Sequence, residues 1–183
     1  MKKYTFYTDL HLYSKYFHEP KPPIAAISIE QENAYLLGDI FEGKNCEPQD
    51  LHLLKIDQQV MARAYKGRSV RGNHDGQFPG IDDIILPGGI LLTHGDLVLW
   101  DDAKTRKFRA EKMGQGSGWK QKIFSIWHGS VSNSEAKLAA NYARARGCTT
   151  VVFGHVHPKV KYDQIVNGIR VICLPRGKTE IYL

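Results

Sequence analysis

Two kinds of hydrophobic pattern alternate along this chain: short runs dense in β-branched and aromatic residues, and longer stretches in which apolar positions recur every three or four residues. The short runs predict strands at Tyr4–Thr8, Ala34–Leu37, Ser69–Arg71, Gly89–Thr93, Thr150–Phe153, Arg170–Cys173 and Glu180–Leu183. The clearest helix takes Asp50 as N-cap, carries Leu53, Ile56, Val60, Met61 and Ala64 on one face, and stops at Gly67. Its apolar stripe is expected to lie against the sheet. A capping-box pattern, Ser132-Asn133-Ser134-Glu135, opens a second helix with Leu138, Ala139, Tyr142 and Ala143 on one side, closed by Gly147. Asp101–Met113 and Trp119–His128 read as two further helical segments, joined by the flexible Gly114-Gln115-Gly116-Ser117-Gly118. Pro20, Pro22 and Pro23 predict a loop before a short helix around Ile24–Glu30. Strands alternating with helices predict an α/β sheet flanked by helices.

A length of 183 residues suits one domain, 1–183, with a real core, and 42% hydrophobic against 24% charged residues excludes a disordered or fibrous chain. The longest apolar stretches, such as Gly89–Leu92 and Val151–Phe153, fall far short of the ~20 residues a membrane span needs. Asp9 and His11 interrupt the N-terminal segment before a signal-peptide core could form, so a cytoplasmic protein is expected. Cys46, Cys148 and Cys173 lack the spacing of a disulfide framework or a zinc finger. The 25 Lys and Arg exceed the 19 Asp and Glu by six, but they are spread along the chain as a solvated surface is. Nothing in the pattern specifies an oligomeric state.

Five polar clusters change the picture: Asp9-Leu10-His11, Gly38-Asp39, Gly72-Asn73-His74-Asp75, His94-Gly95-Asp96 and Gly154-His155-Val156-His157. Each follows a predicted strand, and the carboxyl ends of strands form the ligand crevice of open α/β sheets. Oxygen donors from Asp and Asn mixed with imidazole suit Mn²⁺, Fe²⁺ or Zn²⁺, with Mn²⁺ expected first. About seven donors exceed what one tetrahedral ion needs, which predicts two divalent ions bridged by a carboxylate, Asp39. Such a pair holds a bridging hydroxide for in-line attack on phosphorus, and its net positive charge calls for a phosphorylated substrate. His74 is the candidate proton donor to the leaving group, with Asp75 expected to orient its ring. Asp96 reads as a supporting or capping residue.

In order, these clusters spell DxH…GD…GNHD…HGD…GHxH, and the chain resembles the calcineurin-like metallophosphoesterases. The resemblance implies a four-layer α/β/β/α sandwich with a small helical lid insertion, here at about 101–146. It implies that Asp9, His11, Asp39 and His157 hold one ion, that Asp39, Asn73, His94 and His155 hold the other, and that His74 is the catalytic histidine. A finer similarity follows the fourth motif. His94-Gly95-Asp96-Leu97-Val98-Leu99-Trp100-Asp101-Asp102, with Phe108-Arg109, resembles the HGDxLxxDDxxxxxFR stretch of UDP-2,3-diacylglucosamine pyrophosphohydrolases, and Gly38-Asp39-Ile40-Phe41-Glu42 resembles their GDxFE. It implies substrate contacts from Asp102 and Arg109 and a small phosphodiester or pyrophosphate substrate of nucleotide or UDP-sugar type. Asp39 is not followed by the VDRG of serine/threonine phosphatases, which excludes that reading. A metal-dependent nuclease, suggested by the positive balance, and an inactive scaffold of the same fold are the alternatives.

Overall fold

The computed structural model describes residues 1–14, 24–28, 32–42, 46–75, 78–99 and 129–183. Two mixed sheets stack face to face. The first has the strand order β3 (Ser69–Val70), β2 (Ala34–Leu37), β1 (Lys3–Thr8), β9 (Gly177–Tyr182). Its first three strands are parallel, and β9 closes the edge antiparallel to β1. The second runs β4 (Asp83–Leu86), β5 (Ile90–Thr93), β6 (Thr150–Phe153), β8 (Ile169–Cys173), β7 (Tyr162–Val166), with a parallel centre and an antiparallel strand at each edge.

The two-residue period of a strand assigns alternate side chains to opposite faces, and here both faces are apolar. Tyr4, Phe6, Leu37 and Val70 from the first sheet meet Ile90, Leu92, Val152 and Ile172 from the second in the layer between them. Leu91, Val151, Phe153, Val171 and Cys173 point the other way, onto a helix that spans Asn133–Arg144. That helix buries Ala136, Ala139, Ala140 and Ala143, small residues that bring its axis close to the sheet. On the opposite outer face, Tyr7, Leu36 and Ala34 pack against Ile27 of α1 (Ile24–Ser28) and Leu54 and Met61 of α2 (Leu51–Ala64). The result is the expected α/β/β/α layering.

The second helix begins as its sequence prescribes: the Ser132 hydroxyl accepts from the Glu135 N–H, and the Glu135 carboxylate accepts from the Ser132 N–H. A short helix at Asp96–Leu99, α3, precedes it, so the Asn133–Arg144 helix is α4. It serves as crossover between β5 and β6 and covers the sheet. The helices expected at Asp101–Met113 and Trp119–His128, the intervening glycine-rich linker, and Asp102 and Arg109 lie outside the described residues. Among the described residues no helix is long and apolar enough to cross a membrane.

Two expectations are corrected. Of the face expected to lie against the sheet, α2 buries Met61 and packs Ala64, but Leu53, Ile56 and Val60 are 52, 43 and 40% exposed; Leu54 is buried instead, with Tyr65 just beyond the helix. Leu54 and Met61 are seven residues apart and so share one side of the helix, and that side faces the core. Strands β4 and β7 were not expected at all. Both are edge strands, and β7 (Tyr-Asp-Gln-Ile-Val) is half polar because water covers one side of it. The readable signal for β7 was Asn167-Gly168, whose φ angles of 52° and 79° make the two-residue turn of the β7–β8 hairpin.

Candidate metal centre

Every one of the five clusters emerges from the carboxyl end of a strand, at β1, β2, β3, β5 and β6, and the loops then run side by side. Asp9 N–H donates to Gly38 O, His11 N–H to Asp39 O, Leu12 N–H to Ile40 O, and Gly154 N–H to His94 O. The ladder continues beyond the strands and brings distant sequence positions into one place. Asp9, His11, Asp39, His155 and His157 all have φ between 45° and 67°. Left-handed backbone costs a non-glycine residue about 1–3 kcal/mol, and only the surrounding structure can hold five such residues together.

Two of the groups that could hold an ion, each with its donor atoms mutually within 4.8 Å, are Asp9, His11 and His157, and Asp39, His94 and His155. They are the three-residue cores of the two implied ligand sets. His157 Nε2 lies 2.9 Å from Asp9 Oδ1. His94 Nε2 lies 3.3 Å from Asp39 Oδ2, 3.3 Å from Asn73 Oδ1 and 3.1 Å from His155 Nδ1. The other nitrogen of His94, Nδ1, sits 2.8 Å from Leu37 O and donates to it, so Nε2 is the nitrogen turned toward Asp39, Asn73 and His155. Asp9 is fixed by the Thr8 hydroxyl at 2.5 Å and the His155 N–H at 3.0 Å, both donating to Oδ2, while Arg176 Nε donates to its backbone carbonyl. Asp39 Oδ1 accepts from His74 N–H at 2.7 Å.

The electrostatics follow from burying these groups together. Burial alone would raise Asp9 and Asp39, but the neighbouring imidazoles outweigh it and hold both carboxyls well below the usual range. Burial works against a charged His94, yet Asp39, Asp9 and Asp96 raise it far above an ordinary histidine. Burial, reinforced by the His94 charge, pushes His155 down to about 3. Two imidazole nitrogens 3.1 Å apart can share one proton at most, whereas a divalent ion lets both lone pairs point inward. A carboxylate, amide and imidazole donor set of this kind fits divalent ions.

The sequence reading missed Glu42. Its side chain is buried, with Oε2 2.8 Å from His74 Nδ1 and 3.3 Å from His11 Nδ1. Burial drives it upward, but those two rings hold it down at about 2. The signal was the Gly38-Asp39-Ile40-Phe41-Glu42 stretch already noted for its resemblance, in which Glu42 follows the buried Ile40 and Phe41. Asp75, expected to orient His74, does not. Its carboxylate accepts from the backbone N–H groups of Asp39, Phe41 and Gly72 at 2.9, 3.0 and 2.8 Å, tying the β2 and β3 loops together. The turn from Gly72 to Asp75 folds this side chain beneath the loop, and burial with the Asp39 charge raises it to about 6. Asp96 is the buried first residue of α3, its carboxylate accepting from the adjacent Leu97 N–H at 3.0 Å, while Gly95 O accepts from Val98 and Leu99 N–H at the helix start.

Stacked sheets with candidate ion-binding side chains gathered at their strand ends define a candidate metalloprotein of the α/β/β/α class. The family model for calcineurin-like phosphoesterases matches residues 2–159, and the chain belongs to that family. It therefore carries the coarse identity of a phosphoesterase with candidate metal-binding residues. The match does not single out the UDP-2,3-diacylglucosamine pyrophosphohydrolases. No curated protein matches the chain. Similar solved structures include an uncharacterized protein of Streptococcus pneumoniae described as a predicted phosphoesterase, at 15% identity and a TM-score of 0.46, covering 100% of this chain and 85% of that one. Vacuolar Protein Sorting 29 of Cryptosporidium parvum aligns at 16% identity and a TM-score of 0.44, covering 95% and 74%. The wild-type protein of that name from Entamoeba histolytica, complexed with Zn²⁺, aligns at 13% identity and a TM-score of 0.48, covering 96% and 74%.

Proposed function

We propose that this protein is a hydrolase of a small phosphodiester or pyrophosphate, dependent on two divalent ions. The observation that carries the reading is that Asp9, His11 and His157, and likewise Asp39, His94 and His155, bring their donor atoms within 4.8 Å of one another, with the His155 N–H donating to Asp9 between the two groups. Asp9, His11, Asp39 and His157 would hold one ion, and Asp39, Asn73, His94 and His155 the other, with Asp39 shared. When bound, such a pair polarises a phosphoryl oxygen and supplies water acidified to near neutral pH, with Mn²⁺ the expected metal.

The chain's own residues complete the chemistry. His74 donates a proton to the departing oxygen. Its Nδ1 faces Glu42 at 2.8 Å, and its Nε2 lies on the Asp39 side, 4.0 Å from Oδ2. Glu42 thereby takes the orienting role that the sequence reading gave to Asp75, while Asp75 holds the loop that presents Asn73 and His74. Thr8 and the His155 N–H keep Asp9 aimed at the pocket. Arg109 and Asp102 are retained as proposed substrate contacts; of the lid expected at about 101–146, Asn133–Arg144 instead packs on the second sheet as α4, and residues 101–128 lie outside the described residues.

Metal-free protein reconstituted with Mn²⁺ should bind two ions per chain and hydrolyse a small diester or pyrophosphate in a panel that includes phosphomonoesters, UDP-sugars and single-stranded DNA. His74→Asn should lower kcat by about 10²–10⁴-fold while metal content stays at the parent value. One ion per chain at saturation, or undiminished turnover in the variant, contradicts the reading; a preference for single-stranded DNA converts it to a nuclease.

A further inference from the structure

A third group of donors stands beside the proposed pair: His11, Glu42 and His74, with donor atoms again within 4.8 Å of one another. Glu42 and His11 are buried and His74 is 18% exposed at its side chain, so this is no exposed acidic patch. Glu42 Oε2 is 3.3 Å from His11 Nδ1 and 2.8 Å from His74 Nδ1, and the two rings stand edge to face, 4.9 Å between centroids and 83° between planes. Ion–donor bonds of about 2.0–2.1 Å at tetrahedral angles separate neighbouring donors by roughly 3.3 Å. One of these separations already matches, and the other needs to open by half an ångström. Two nitrogens, one oxygen and an open fourth position suit Zn²⁺ better than Mn²⁺, which binds imidazole more weakly.

We propose that His11, Glu42 and His74 form an additional zinc place that fills only when zinc is in excess and that stops turnover by capturing His74. The inference rests on the two-ion reading above. Its weakness relative to the pair has a definite cause. His11 faces Glu42 through Nδ1, so serving the Asp9 group as well uses its other nitrogen, and a ring that ligates through both must give up its remaining proton. That proton and the one on His74 Nδ1 leave as zinc enters. Glu42, which otherwise orients the two rings, becomes the ligand that joins them.

The test is a zinc titration of metal-free protein, with bound metal counted by equilibrium dialysis and elemental analysis and the His74 ring nitrogens followed by ¹⁵N NMR. Three equivalents should bind, the third most weakly. As it enters, the His74 nitrogen signals should move and turnover should fall by about 10²-fold or more, the share a general acid supplies. Manganese should stop at two equivalents with no such loss. Glu42→Gln and His74→Asn should each bind two equivalents of zinc and lose the third. Saturation of the parent at two, a third equivalent that survives in both variants, or His74 signals that stay still overturns the proposal. If the first two equivalents fail to bind while a single equivalent moves the His74 signals and is lost in Glu42→Gln, the two-ion reading falls and this site stands alone.

Discussion

A methyl group placed on Gly154 would lie 2.1 Å from Thr8 Oγ1 and 2.4 Å from Asp9 Oδ2, and one on Gly72 would lie 2.2 Å from both the Asp39 nitrogen and Asp39 Oδ1. These glycines exist so that neighbouring loops can touch the two carboxylates directly. Gly154→Ala should therefore destabilise the fold by about 1–3 kcal/mol, as overpacking does, and also weaken metal binding, because Asp9 is the group displaced. Thermal unfolding and a metal titration check it, and parental values in both would contradict the close approach. Residue types were legible here: Asp9, His11, Asp39, Asn73, His94, His155 and His157 announce ligand chemistry by composition and motif. Aim was less so. Asp75 follows His74 directly in the chain and Glu42 lies far upstream, and only the backbone path decides that Asp75 meets amides and Glu42 meets imidazoles.

At the level of single elements, α2 makes the sharpest contrast. Met61→Ala removes a fully buried side chain from the layer beneath the first sheet and should cost about 2–5 kcal/mol, whereas Leu53→Ser, on the half-exposed stripe, should stay within about 0.5 kcal/mol of the parent. Denaturant midpoints measure both, and equal losses would mean that the helix is rotated. The β7–β8 hairpin offers a second test. Arg170 Nε and Nη2 donate to Asp163 Oδ1 and Oδ2, both at 2.9 Å, and this pairing holds the Asp163 carboxyl below its ordinary range. A depressed acid contributes its stability above the unfolded value of about 3.9 and loses it as pH falls through the folded value. Asp163→Asn should thus cost up to about 1 kcal/mol at neutral pH and almost nothing near pH 2, a partly exposed pair being worth no more. An unchanged cost across that range would assign the effect to packing. Strand β7 itself shows why edges are hard to read: half its side chains face water, so its apolar alternation is diluted.

Across the whole molecule, five left-handed candidate ligand residues and several buried charges gather at the strand ends of the two sheets. Ions that bind the folded chain alone stabilise it by mass action, about 2.7 kcal/mol for each at a hundredfold excess over its Kd. Removing metal with a chelator should accordingly lower Tm, and adding Mn²⁺ back should restore it; a Tm indifferent to chelation would deny the ions a place in the fold. The four-layer arrangement was expected only from the family resemblance; most of the strands, helices α2 and α4, and the candidate ligand types were encoded locally, in two-residue and three-to-four-residue periodicity and in motifs that follow strands. Those local features depend on neighbours within a few positions, so the amino-acid order alone determined them. Which stripe of α2 is buried, which acid steadies His74, and which edges β4 and β7 occupy were decided by the tertiary structure, because each depends on contacts between segments tens of residues apart.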